Sequence, residues 1–401
     1  MNISFEDTRT AFAYKSDKDL RKAKFLFSSM GIDWLVTLGI KLTPWILKVG
    51  LPVKGLIRNT IFHQFVGGET LEETSTVANK LVKYKVQVIL DYGVEGKEGE
   101  ENYDQGMQQF IKVVQYAATQ PNIPFISVKL TGLARFGLLE KLDKSSKYEE
   151  VIKGILPLDV LTQAENEEWQ RVVSRLNLVC EMASSKNIGV LIDAEESWIQ
   201  DPVDALTIQM MQKYNGGVPV VYNTAQLYRH DRLQFIKDCN QYALEKQFNT
   251  GLKLVRGAYM EKERERAVQY NYPSPINVNK ASTDNDYNAA LEYCLNPANK
   301  TFTVVGSHNE YSNLYATQLM ELYGLSLDSE RVHFSQLYGM SDNITFNLAA
   351  AGCNVSKYLP FGPINDVIPY LMRRAQENSS VSGQTGRELL LIRKELERRG
   401  V

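Results

Sequence analysis

The sequence predicts an α/β chain folded as a (βα)8 TIM-like barrel with an N-terminal helical extension. Three observations predict it. From about residue 85 onward, short segments rich in Val, Ile, Leu, Tyr and Phe alternate with longer amphipathic stretches. Eight such segments recur, several of them nearly continuous apolar runs, as parallel strands buried on both faces require. No GxGxxG and no GxxxxGK[ST] occurs, which counts against an open dinucleotide-binding sheet or a phosphate loop.

The strand segments, in order, are Val86–Val94, Phe125–Leu133, Gly189–Ser197, Val218–Leu227, Gly251–Tyr259, Thr301–His308, Val332–Gly339 and Asn354–Gly362. Between and after them the helical period is clearest at Glu165–Ser185, Asp231–Gln247, Asp284–Leu295 and Asn365–Asn378. The expected organisation is a helical region over 1–84 packing on a barrel over 85–401. The apolar stretch Gly31–Ile57 carries Lys41, Lys48 and Lys54. It suits helices packed on the barrel or a segment lying on a membrane surface, and the sequence leaves both open.

Composition excludes several classes. The 401 residues are 44% hydrophobic and 23% charged, enough for a large core. Lys plus Arg number 45 and Asp plus Glu 47, a net charge of −2, so no nucleic acid partner is expected. The cysteines Cys180, Cys239, Cys294 and Cys353 are scattered, and His63, His230, His308 and His333 form no ligand pattern, so no metal is expected. Met1–Lys24 lacks an apolar signal core and carries Glu6, Asp7, Asp17 and Asp19, which argues against a transit peptide. No run of 18 apolar residues occurs, so no membrane span is expected. The scattered cysteines suit a reducing compartment, and the expected location is cytoplasmic, with peripheral contact on the inner face of a membrane left open.

A barrel places its chemistry at the C-terminal ends of its strands. Polar residues recur there: Asp91 and Glu95; Lys129 and Thr131; Asp193, Glu195 and Glu196; Asn223, Thr224 and Gln226; Lys253, Arg256 and Tyr259; Ser307, His308 and Asn309; Gln336 and Tyr338; Tyr358. Ionisable groups inside apolar strands are costly unless paired or used. After the eighth strand, Tyr370, Arg373, Arg374 and Glu377 stand at i, i+3, i+4 and i+7 and share one helix face. Two arginines beside a Tyr make a fork suited to a small carboxylate, with phosphate as an alternative; the same spacing also fits an ordinary solvated charged face.

The strings SVKLTGLARFG, GVLIDAEESW, YNTAQLYRHDRL, GLKLVRGAYMEKERERA, QLYGMSD and KYLPFGPINDVIPYLMRRAQENSS together resemble the proline dehydrogenase family, in the family's order. FEDTRTAFAYKSDKDLRKAKFLF resembles the helical entry of its mitochondrial type. The resemblance implies a (βα)8 barrel holding FAD and oxidising L-proline to 1-pyrroline-5-carboxylate. It also implies electrons passed to a membrane quinone, a separate pyrroline-5-carboxylate dehydrogenase downstream, and a mitochondrial location if the source is eukaryotic. The chain ends at Val401 without an aldehyde dehydrogenase module, so a monofunctional enzyme is expected.

Residue by residue, Arg373 and Arg374 match the family's carboxylate clamp and Lys129 the lysine that joins it. Tyr358 and Tyr370 match the aromatic residues around the proline ring, Leu337 an apolar wall, and Tyr259 a residue that closes the pocket. Asp193 matches the aspartate that holds the first of those tyrosines. Glu95 stands where the family has an acidic gate for an arginine, and Glu377 where one orients the pair. Toward the flavin, Lys253 matches the basic residue near the reactive ring nitrogen, as Lys in the mitochondrial type. Arg256 and His308 are expected beside the cofactor, Asn223 and Gln226 at its pyrimidine edge, and Lys280 and Thr283 near its pyrophosphate or adenosine part. Tyr358 crowds the place of a ring hydroxyl, which favours proline; hydroxyproline is the alternative substrate.

Overall fold

A computed structural model describes residues 3–30, 54–93, 98–380 and 384–401, without the side chains of 54, 56, 376–380, 384 and 385. Eight parallel strands close into a barrel in sequence order. They are β1 (Gln87–Tyr92), β2 (Phe125–Val128), β3 (Gly189–Ile192), β4 (Val221–Gln226), β5 (Thr250–Val255), β6 (Thr301–Gly306), β7 (Val332–Leu337) and β8 (Val355–Phe361). All eight predicted segments coincide with a strand, β5 beginning one residue earlier than predicted. Most strands stop two to five residues short of the predicted C-terminal end, because the chain leaves the sheet where its side chains turn polar. Lys129 and Asp193 each follow the last residue of a strand, and Thr131 lies in a 3-10 turn, Leu130–Gly132.

The chain divides into two compact units, Glu95–Ser335 and Asn2–Val94 with Gln336–Val401. In the first, strand pairing is continuous from β2 to β6; Lys253 lies level with Thr224 of β4 and Val304 of β6. Rings from three non-adjacent strands meet inside: Phe125 lies 5.4 Å from Tyr222 and 5.0 Å from His333, both edge-on. Even-numbered positions of β4 therefore face the barrel interior and odd ones the helical layer. Burial drives the His333 imidazole down to about 3, so it is neutral at ordinary pH. The long helix Gln163–Lys186 starts at a Thr162–Glu165 capping box and ends at Asn187 in the left-handed region. It buries Trp169, Val172, Leu176 and Val179, with Arg175 bridging Glu100 and Asp104.

In the second unit, β1 pairs with β8 along its whole length, from Gln87 beside Ser356 to Tyr92 beside Phe361. Phe12, Leu20, Phe27, Phe65, Leu371 and Leu391 form one apolar cluster that unites the early helices with the late ones. Behind β8 sits a buried ionic group. Asp342 is ion-paired with Lys15 and Lys357, each at 2.9 Å, and accepts from the Tyr14 hydroxyl at 2.8 Å. Glu388, on the helix Gln384–Arg399, accepts the backbone N–H of Ser341. Burial would raise the Asp342 carboxyl, but the two lysines outweigh it and hold it at about 2. Glu388 is pushed up to about 7 by burial, with the Asp342 charge adding to it.

No helix among the described residues is long and apolar enough to cross a membrane. Most of the stretch Gly31–Ile57 lies outside the described residues.

Candidate active site

In the unit Glu95–Ser335, the strand ends carry one dominant arrangement. The Asp193 carboxylate takes Lys129 at 2.8 Å on one oxygen and Lys253 on the other. Asp193 and Lys253 are buried, and Lys129 keeps 27% side-chain exposure. Burial alone would raise the Asp193 carboxyl; the two ammonium groups reverse this and hold it well below the ordinary carboxylate range. Three charges that would be prohibitive singly are thus tolerable together.

Beside them, Glu195 is buried, accepts from the Thr131 hydroxyl at 2.8 Å and its N–H at 3.3 Å, and is pushed up to about 7 by burial. The Gln226 amide donates to the Glu195 carbonyl at 2.7 Å, which ties the end of β4 to that of β3. Past β5, Arg256 stacks 4.3 Å from the Tyr287 ring and binds Asp284 at 2.7 Å, Ser307 at 2.9 Å and Ser312 at 2.9 Å. His308 follows β6, half-buried. Lys280 and Thr283 open the helix Lys280–Leu295 behind the Asn279 cap; Lys280 is exposed and pairs with Asp284, while Thr283 is buried. Tyr259 is half-buried at the start of the helix Met260–Tyr270.

Asn223 requires a correction. It was expected at the pyrimidine edge of a cofactor, but as an odd-numbered β4 residue it faces the helical layer. Its amide donates to Asp204 at 2.8 Å, and Asp204 also binds Arg232 at 2.6 Å and Gln200 at 2.9 Å. Sequence reasoning missed this buried ion pair. Its signal was available: Asp204 shares a helix face with Ile208 and Met211, all three buried, and an acid on an apolar stripe needs a partner.

In the other unit, the helix Ile364–Ser380 carries the predicted face. Tyr370 and Arg374 are buried and Arg373 is half-buried, so this is not an ordinary solvated charged face. The Arg374 guanidinium lies 5.1 Å from the Tyr370 ring centroid. Tyr358, on β8, and Leu337, ending β7, are half-buried, and the Tyr358 carbonyl accepts the Tyr338 N–H at 2.9 Å. Glu95 and the side chain of Glu377 lie outside the described residues.

A closed parallel barrel with buried ion pairs at its strand ends has the build of a barrel enzyme. The sequence profile described as "Proline dehydrogenase" matches residues 74–387. Proline dehydrogenase 1, mitochondrial, of Dictyostelium discoideum is 30% identical over 98% of this chain and 74% of its own length. The hydroxyproline dehydrogenase of Xenopus laevis is 31% identical over 86% of this chain and 78% of its own. Among solved structures, proline utilization A (PutA) from Bdellovibrio bacteriovorus, inactivated by N-propargylglycine, superposes with a TM-score of 0.70 at 21% identity, over 93% of this chain. The aligned part is 38% of that protein's chain, and the likeness is one of fold. The chain belongs to the proline dehydrogenase family and is an oxidoreductase.

Proposed function

We propose that this chain oxidises L-proline to 1-pyrroline-5-carboxylate with FAD and passes the electrons to a membrane quinone. The family match over residues 74–387 carries the reading. The donor set supports it. Gln226, Lys253, Arg256, Ser307 and His308, at the ends of β4, β5 and β6, offer the hydrogen bonds and positive charge that suit a flavin. Bound flavin would supply the acceptor for the hydride that leaves the ring carbon beside nitrogen.

This chain's own residues do the rest. Arg373 and Arg374 are assigned to the substrate carboxylate as charge-assisted donors, the role the family resemblance also gives Lys129. Tyr358, Tyr370 and Leu337 are assigned to hold the ring so that one C–H is presented in a fixed direction, and Tyr259 takes the role of the family's pocket-closing tyrosine. Asp193 anchors both lysines. Lys253 keeps a cation where negative charge develops, a contribution that a dry site enlarges. The amine must be neutral before the hydride leaves, and its proton goes to solvent. The product passes to a separate pyrroline-5-carboxylate dehydrogenase. Reaching a membrane quinone calls for peripheral membrane contact, in a mitochondrion if the source is eukaryotic.

Tyr358 favours proline over hydroxyproline, since its ring crowds the place of the extra hydroxyl. The test is an anaerobic titration. Purified protein is expected to be yellow and to bleach with proline; a colourless protein that takes up no added FAD would end the reading.

A further inference from the structure

We propose that Glu263 is a positioning residue. By holding Ser197 it locks the loop after β3 to the helix after β5, and so fixes Tyr259 for substrate binding. This deepens the proline reading above and rests on it.

The helix Met260–Tyr270 is solvent-facing at Glu261, Lys262, Arg264 and Glu265, yet Glu263 among them is fully buried. Its carboxylate accepts both the Ser197 N–H at 2.7 Å and the Ser197 hydroxyl at 2.6 Å. Its own N–H makes the ordinary i→i−4 bond of the first helical turn to the Tyr259 carbonyl, at 2.9 Å. The Glu263 carboxylate thus ties the β3 loop to the turn that Tyr259 opens. A buried carboxylate is costly, and a neutral apolar contact would close the same gap more cheaply. What the charge adds is direction: two strong bonds to one residue define an orientation as well as a distance.

The helix needs such a restraint. Between β5 and Tyr259 stands Gly257 at φ +123°, where a Cβ would fall 2.5 Å from the Tyr228 ring. The turn is therefore made by a residue without a side chain, and nothing on Gly257 itself can set the helix direction. The restraint comes from the far side. Lys262 pairs with Glu196, and Lys262 and Arg266 lie 5.7 and 4.4 Å from the Trp198 ring. Arg266 also reaches Glu140 at 2.6 Å. All these partners but Glu140 belong to the short run Glu196–Trp198. The β3 and β5 segments are thus joined at two levels, by Asp193–Lys253 at the strand ends and by Ser197–Glu263 above them. The lower junction sets the lysine, and the upper one sets the tyrosine.

The experiment compares Ser197→Ala, Ser197→Thr and Glu263→Gln. Ser197→Ala deletes one of the two bonds, Ser197→Thr keeps the hydroxyl, and Glu263→Gln removes the charge, leaving two weaker neutral bonds in which the amide donates to the Ser197 hydroxyl oxygen. Ser197→Ala and Glu263→Gln should each raise KM for proline about tenfold, the scale of one bond to a charged acceptor. kcat, flavin content and Tm should stay near wild type, and Ser197→Thr should restore KM. An unchanged KM in both variants would overturn the assignment, as would a fall in Tm with KM constant. A second readout does not depend on turnover. Trp198 emission, isolated by subtraction of Trp198→Phe, should shift to the red in both variants as the helix loosens. If the unaltered protein fails to oxidise proline, the substrate reading falls, and Trp198 emission still decides the latch. No shift would sink it.

Discussion

Lys129 stands 2.8 Å from the Asp193 carboxylate, whose other oxygen is taken by Lys253. One acid therefore binds two cations, drawn from β5 and from the end of β2, and the trio keeps one net positive charge. Asp193→Asn should cost about 3–5 kcal/mol of stability, because it removes the carboxylate that both ammonium groups bind, one of them buried. Urea unfolding measures this; a loss below about 1 kcal/mol would show that the lysines find other partners.

Arg373→Met should raise KM for proline by the equivalent of about 2–5 kcal/mol while the flavin content stays unchanged. Truncating one partner of a charge-assisted pair leaves the substrate carboxylate short of a donor. An unchanged KM would place the clamp elsewhere.

Replacing Tyr358 with Ser should open room for a ring hydroxyl. The ratio of kcat/KM for hydroxyproline over proline should rise by about tenfold or more, the scale at which a pocket discriminates one small group. A ratio that does not move would remove Tyr358 as a specificity residue.

Glu388 makes stability depend on pH in a definite direction. Its carboxyl is raised from its ordinary value of 4.5 to about 7 by burial, so between those limits the folded chain holds a proton that the unfolded chain has released. Its contribution is fully present below 4.5 and is lost as pH rises through about 7. His333 acts oppositely. Held at about 3 against an ordinary 6.5, its neutral form favours the fold above 6.5, and that contribution is lost as pH falls toward 3. Glu388→Gln should flatten the alkaline side of a Tm-against-pH curve between 5 and 8 and leave the acid side unchanged. An alkaline side as steep as that of the unaltered protein would assign the effect to another group.

Why some features were readable in the sequence follows from the same physics. The eight strands were legible because parallel strands buried on both faces are continuous apolar runs. That property hides which residue faces which side. In VYNTAQ every position is buried, so no polar–apolar alternation marks Asn223 as facing the helices while Gln226 faces the interior. Strand ends blurred for a related reason: beyond Lys129, where the sheet has ended, Leu130 and Leu133 continue the apolar run. The Tyr370–Arg374 face was legible because helical spacing alone puts those residues together. Glu263 was not, since in EKERER every position is charged and only burial distinguishes one from the next.

Arg399 reaches back to Phe12 and Lys15 carbonyls at 2.9 Å each and to Asp17 at 2.8 Å, across 382 to 387 positions of chain. Bonds of such long separation are entropically expensive to close early and form once the intervening chain has collapsed. The clasp is thus a finishing step of assembly. Trimming the polypeptide after residue 398 should leave the sheet able to form but the early helices poorly moored, a protein that folds and then frays from its opening segment under protease.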